Sequence, residues 1–226
     1  VLPIASFILV KEVKLDSREE FKLEESNKEI KQWKRIEVLK DYRFYIICMT
    51  MLAMPWIATG SFVYQSFISS SKGWGPYVIA QSFMAYSILS VITLFVSGFL
   101  IDKFSSRKLL IYMNFPLFFA TIVLYYFDAP ISSFIFFGLV GITNGLANVL
   151  GSSTWAEIYG VKYIGSIKAL TTALMVFSTA FGTALFGFLI DIGFSIEQIV
   201  VVSGTYIFGS IILLYLVKNK LNPNYL

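Results

Sequence analysis

The sequence predicts an all-α transmembrane protein, a six-helix bundle of two inverted three-helix repeats, and three observations lead there. Of 226 residues, 57% are hydrophobic and only 14% charged, against roughly 25% charged in an ordinary globular domain. The charges are also segregated, because residues 11–43 hold 19 of the 32. Beyond that segment, apolar runs of membrane-crossing length follow one another to the end of the chain. Too little polar surface remains to solvate a water-soluble fold, which excludes a soluble enzyme and a nucleic-acid binder.

Residues 1–10, VLPIASFILV, are apolar but would rise only about 15 Å as a helix, half of the ~30 Å hydrocarbon core. With no basic n-region and no small-residue cleavage site, they read as the end of a truncated membrane helix rather than as a signal peptide. Residues 11–43 read as a charged cytoplasmic linker with a helix of its own. Ser17 and Glu20 have capping-box spacing, and Ile30, Trp33, Ile36 and Leu39 recur every three residues. Such a stripe suits an amphipathic helix on the membrane surface or against the bundle. A solvated linker of weak helicity is the alternative.

Residues 44–226 hold six apolar runs, at about 44–68, 77–101, 109–127, 131–155, 166–190 and 199–217. Each is long enough to cross the bilayer as a helix. Gly73, Gly75 and Pro76 punctuate one connection, Asp128 and Pro130 the next, and Gly193 a third. Pro55 and Pro116 fall within spans and are expected to kink them. In the alternating connections, 17 of the 18 Lys and Arg residues fall on one side, and Lys72 stands alone on the other. By the positive-inside rule the charged linker and the C-terminus of this multi-pass membrane protein are cytoplasmic.

Some chemistry is excluded outright. There is one cysteine, Cys48, and no histidine. An internal disulfide, histidine-based metal sites and every Ser-His or Cys-His nucleophile pair are therefore ruled out.

The pentapeptide GFLID occurs twice, at 98–102 and 187–191. Each copy closes the second span of a consecutive triple, at opposite faces of the membrane. Two triples of odd span number must be inverted relative to each other, as in transporter folds built of 3+3 repeats. The run Gly98-Phe99-Leu100-Ile101-Asp102-Lys103-Phe104-Ser105-Ser106-Arg107-Lys108 resembles the major facilitator superfamily signature Gly-x-Leu-x-Asp-Arg-x-Gly-Arg-Lys, with Ser105 in place of the second glycine. WAEIYGVKYIGSIKAL and VFSTAFGTALFGFLIDIGFS are similar to helices 10 and 11 of bacterial members related to monocarboxylate porters. The resemblance covers essentially the whole chain, as the end of helix 6, the central loop and helices 7 to 12 of a twelve-helix carrier.

The resemblance implies alternating access in the bacterial cytoplasmic membrane, with two six-helix bundles rocking about a site lined in this half by helices 7, 8, 10 and 11. The implied partners are an N-terminal six-helix half, the lipid bilayer, a small-molecule solute and a coupling proton, without nucleic acid, cofactor or metal. It also implies that Asp102, Arg107 and Glu157 form a cytoplasmic ion-pair network that holds the bundles in the outward-open state. Surface solvation of those charges is the alternative. Asp191 would be the extracytoplasmic counterpart.

Polar stripes mark the same helices. Helix 8 carries Ser82, Tyr86, Ser90, Thr93 and Ser97; helix 10 carries Asn144, Asn148 and Ser152. Helix 7 carries Thr50, Ser61, Gln65 and Ser69, and helix 11 carries Thr172, Thr179 and Thr183. Such stripes either line a cavity or bond across helix interfaces. Tyr64, Gln65, Gln81, Tyr86, Asn144 and Asn148 are the cavity candidates because they are the larger hydrogen-bonding side chains. Gly141-x-x-x-Gly145 reads as a packing motif.

No acid or base lies in the central part of a span, so a coupling residue would belong to the other half of a carrier. Monocarboxylate porters carry an Asp and an Arg in helix 8, where this chain has Gln81, Ser82 and Tyr86. The expected function is a secondary active or facilitative transporter of a small organic solute, not an enzyme. The alternative is a transporter-derived membrane sensor or assembly subunit. An Asp102–Asp191 dyad is excluded, since the two would lie ~30 Å apart across the bilayer.

Overall fold

The computed structural model describes residues 31–75 and 77–222. The readings of residues 1–10, of Ser17 with Glu20, of Ile30 and of Pro76 lie outside the described residues. The elements are α1 (Arg35–Leu39), α2 (Tyr42–Val63), α3 (Gln65–Ser71), α4 (Val78–Phe104), α5 (Ser106–Leu110), α6 (Phe115–Tyr126), α7 (Pro130–Tyr159), α8 (Ile164–Asp191), α9 (Ile196–Val217) and a closing 3₁₀ turn, Lys218–Lys220. Among the described residues, six stretches are long and apolar enough to cross a membrane: α2, α4, α5 with α6, α7, α8, and α9 with its closing turn. The protein is a six-helix transmembrane bundle.

Local chemistry sets the ends. Asp41 caps α2 by accepting from the Arg43 amide at 3.0 Å. Ser195 and Gln198 form a reciprocal capping box at the start of α9. Gly160, at φ +82°, ends α7 in the left-handed conformation that glycine adopts without strain.

Two spans are interrupted where uniform apolarity predicted continuous helix. The first breaks at Tyr64, and α3 continues as a separate segment. The third breaks between Leu110 and Phe115. Pro116 therefore stands in the first turn of α6, where its missing N–H costs no hydrogen bond, and it does not kink a helix as expected. Pro55 does lie inside α2. In the linker, Ile36 is 66% exposed and Val38 is fully buried, so the three-residue stripe is not the packed face of α1. The preceding Trp33 instead ties the linker to α7, donating its amide to the Tyr159 carbonyl at 3.0 Å.

With lipid on the outside, burial of apolar area gives helices little reason to associate, and close backbone packing has to do so. Gly141 and Gly145 of α7 face the α4 backbone. A β-carbon would stand 3.0 Å from Tyr86 Cα at the first and 2.8 Å from the Leu94 nitrogen at the second. Gly182 of α8 meets α2 in the same manner, where a β-carbon would stand 2.6 Å from Trp56 Cα. The two close pairs, α4 with α7 and α8 with α2, are the exchange expected when one triple of helices repeats the other. One core, around Trp56, Phe137, Phe186 and Ile207, fills the end near Lys72. Another, around Phe44, Leu110, Trp155 and Leu214, fills the opposite end, called here the basic end.

Candidate functional site

A cavity of about 290 Å³ opens between α2, α7 and α8. Helical spacing puts Asn144, Asn148 and Ser152 of α7 on one wall, one turn apart. Lys168, Thr171, Thr172 and Met175 of α8 form a second wall, and Cys48, Met51, Met54 and Pro55 of α2 a third, with Trp155 at the basic end. The Asn144 amide donates to Ser90 Oγ at 2.8 Å, and the Asn148 amide donates to the Asn144 carbonyl at 2.9 Å. Each carboxamide thus keeps its side-chain oxygen without a hydrogen-bond partner among the described residues. Lys168 is the ionisable side chain of the lining apart from Cys48, and no carboxylate pairs with it among the described residues. The walls offer an ammonium, two amide oxygens and soft, polarisable sulfur surface. That set can hold a small solute that is partly polar and partly apolar.

The six cavity candidates separate on this geometry. Asn144 and Asn148 line the cavity; Tyr64, Gln65, Gln81 and Tyr86 do not. Tyr64 sits at the break after α2, stacked on Phe186 with ring centroids 6.4 Å apart. Tyr86 packs edge-on against Phe62, Gln65 is half-buried beside the same break, and Gln81 is exposed. The α4 stripe turns toward α7 because the glycines bring the two backbones together. Ser82 donates to the Val78 carbonyl and shares a 2.8 Å hydrogen bond with Ser133, Ser90 receives Asn144, and Ser97 bonds back to Thr93. On α8, Thr179 and Thr183 bond to their own helix. Lys168 was missed because a charge near a span end reads as loop. Its spacing with Thr171, Thr172 and Met175 is the helical signal that marks it.

Ion pairs flank the cavity at both ends of the bundle. At the basic end, Arg107 Nε lies 2.9 Å from Glu157 Oε1. The other Glu157 oxygen accepts from the Ser106 amide at 2.9 Å, the Ser106 hydroxyl and the Arg107 amide. Asp102, the third member expected there, is exposed and without an ion-pair partner among the described residues. Arg43 adds a second cluster: its Nε meets Asp41 at 2.8 Å, and its Nη1 donates to the Lys220 and Asn222 carbonyls at 3.1 Å each. Tyr159 donates to the same Asp41 at 3.2 Å.

At the other end Lys72, whose side chain is 1% exposed, pairs with Asp128 at 2.6 Å and Glu197 at 3.0 Å. Trp74 Nε1 donates to the Asp128 carbonyl at 2.7 Å. Burial works against the Lys72 charge, but hydrogen bonds to the two carboxylates outweigh it and hold its pKa above the ordinary value. Asp191 is exposed and unpaired among the described residues. The ion cluster at that end thus belongs to Lys72, Asp128 and Glu197.

Comparison with protein families matches residues 45–224 to the Major Facilitator Superfamily. No curated protein and no solved structure gave a match. Six apolar helices of crossing length and a family match over well over half of its residues establish that the chain belongs to the major facilitator superfamily.

Proposed function

We propose that this bundle is one half of a carrier that moves a small organic solute by alternating access, and that the cavity between α2, α7 and α8 is its share of the solute site. The observation carrying this reading is that cavity. In a chain of a transporter family, it gathers two carboxamides of α7 and a lysine of α8 that no carboxylate pairs among the described residues, against the sulfur-bearing wall of α2. An N-terminal six-helix bundle of the same carrier closes the open side of the site. The distribution of 17 of the 18 Lys and Arg residues supports a cytoplasmic linker and C-terminus in a cell membrane.

In this reading the Arg107–Glu157 pair and the C-terminal turn brace the cytoplasmic end, while Lys72 with Asp128 and Glu197 braces the other. Both must be compatible with the rocking that exposes the site alternately. The cavity lining holds no carboxylate, so a coupling proton would titrate on the partner bundle. The ammonium of Lys168 suits a solute with an electron-rich acceptor group, while Gln81, Ser82 and Tyr86 in place of the helix 8 Asp and Arg of monocarboxylate porters argue against a carboxylate as the solute.

The test is uptake by liposomes containing the full carrier, against small carboxylates, sugars and amino acids, with and without a proton gradient. Saturable uptake, lowered about tenfold or more by Asn148→Ala for lost binding contacts, is the expected result. Saturable binding without uptake would replace the carrier with a sensor. Uptake unchanged in Asn148→Ala and Lys168→Gln would move the solute site elsewhere.

A further inference from the structure

We propose that a basic pocket between α5 and the C-terminal turn binds the headgroup phosphate of an anionic phospholipid, in the leaflet at the basic end of the bundle. The pocket has a volume of about 380 Å³ and is lined by Arg107, Lys108, Ile111, Lys218, Asn219 and Asn222. Three of these residues are cations and none is a carboxylate. Arg107 is answered by Glu157 at 2.9 Å and by the Asn222 side chain at 2.8 Å. Lys108 and Lys218 have no carboxylate within ion-pair distance among the described residues. The Lys218 ammonium lies 3.5 Å from the centroid of the Tyr215 ring, which restrains it beside the pocket. An anion with several acceptor oxygens would complete this set, and the asparagine amides can donate to it.

Position makes the ligand a lipid. The pocket stands where one span begins, at Ser106, and another ends, at Lys220, which is headgroup depth. Beside it, Tyr112 (63% exposed) and Leu216 (71% exposed) present apolar surface outward. A phospholipid satisfies both parts, with its phosphate in the pocket and the upper part of an acyl chain against Tyr112 and Leu216. Basic pockets between membrane helices on this kind of face suit anionic headgroups.

The experiment is native mass spectrometry of the full chain in mixed micelles of phosphatidylcholine and phosphatidylglycerol. The paired variants are Lys108→Gln/Lys218→Gln and, as a control with equal charge loss, Lys103→Gln/Lys162→Gln. The expected result is one phosphatidylglycerol retained preferentially per chain. Removal of two headgroup-level lysines should weaken retention about thirtyfold in the first variant and leave the control near the parent. Equal weakening in both variants would reduce the effect to diffuse attraction and overturn the proposal. So would unchanged retention in the first variant, or displacement of the lipid by inorganic phosphate alone.

Discussion

Glu157, at the end of α7, is both the ion-pair partner of Arg107 and the cap of α5. One of its oxygens meets the guanidinium at 2.9 Å and the other takes the amides of Ser106 and Arg107. A single carboxylate therefore fixes the start of the third span against the end of the fourth. In Glu157→Gln one acceptor oxygen survives but the charge does not. Because the pair is about a quarter exposed, the expected loss is modest, about 1–2 kcal/mol. Glu157→Ala, which also uncaps α5, should lose more. Thermal unfolding in detergent checks the order, and equal stability of all three proteins would show that the carboxylate is not a brace.

Ser105, between α4 and α5, adopts φ +69° and ψ 148°, a conformation that side chains rarely take. Its hydroxyl is buried without a hydrogen-bond partner. Replacing it by glycine removes the strain and sacrifices no bond, so Ser105→Gly should stabilise the protein by about 1 kcal/mol. Ser105→Val, β-branched at the same φ, should destabilise it. A lower melting temperature for Ser105→Gly would contradict the argument. The glycine of the signature at this position is thus explained by backbone geometry, which this chain meets with a strained serine.

Gly145 tests the packing of α4 on α7. Its missing side chain lets the Ser90 carbonyl and the Leu94 nitrogen of α4 approach to 2.6 and 2.8 Å of where a β-carbon would be. Gly145→Val must push the helices apart, disturbing the Asn144–Ser90 hydrogen bond on the same seam. The expected cost is about 1–3 kcal/mol from overpacking. Gly151→Ala, on the same helix but with open space around it, should be nearly neutral. Similar melting temperatures for both variants would show that the close approach does not hold the pair.

The contrast between these glycines shows what was legible in the sequence. The six spans follow from apolar length, a property of each segment alone, and so could be read directly. What a polar stripe faces depends on the neighbouring helix: Ser82, Ser90 and Ser97 form a regular stripe, yet the glycines of α7 turn it into a packed seam. The breaks at Tyr64 and before Phe115 were hidden by unbroken apolar runs. Asn114, buried in the second break, sends its amide across to the Thr50 carbonyl of α2 at 2.8 Å, a tie no local pattern announces. Lys72, Asp128 and Glu197 are far apart in sequence. Only the convergence of α3, the α6–α7 connection and α9 brings them together.

Lys72 supplies the pH prediction. Its folded-state pKa is raised, so its pairing contributes stability that is fully present below the unfolded value of about 10.4 and is lost as pH rises through the higher folded value. Between neutral pH and about pH 9.5 this contribution should be flat. Other lysines and tyrosines titrate in the alkaline range, so the informative quantity is the difference between the parent and Lys72→Met. At neutral pH the variant leaves Asp128 and Glu197 unpaired. Both reach solvent, being 75% and 40% exposed, so the difference should be about 1 kcal/mol and not the larger penalty of a stranded buried charge. Thermal unfolding from pH 7 to 11.5 should show the two curves converging only above about pH 10.4. Convergence already at pH 8 would mean that the carboxylates do not hold the ammonium. A constant difference throughout would mean that packing of the lysine stem, not its charge, ties α3 to α9.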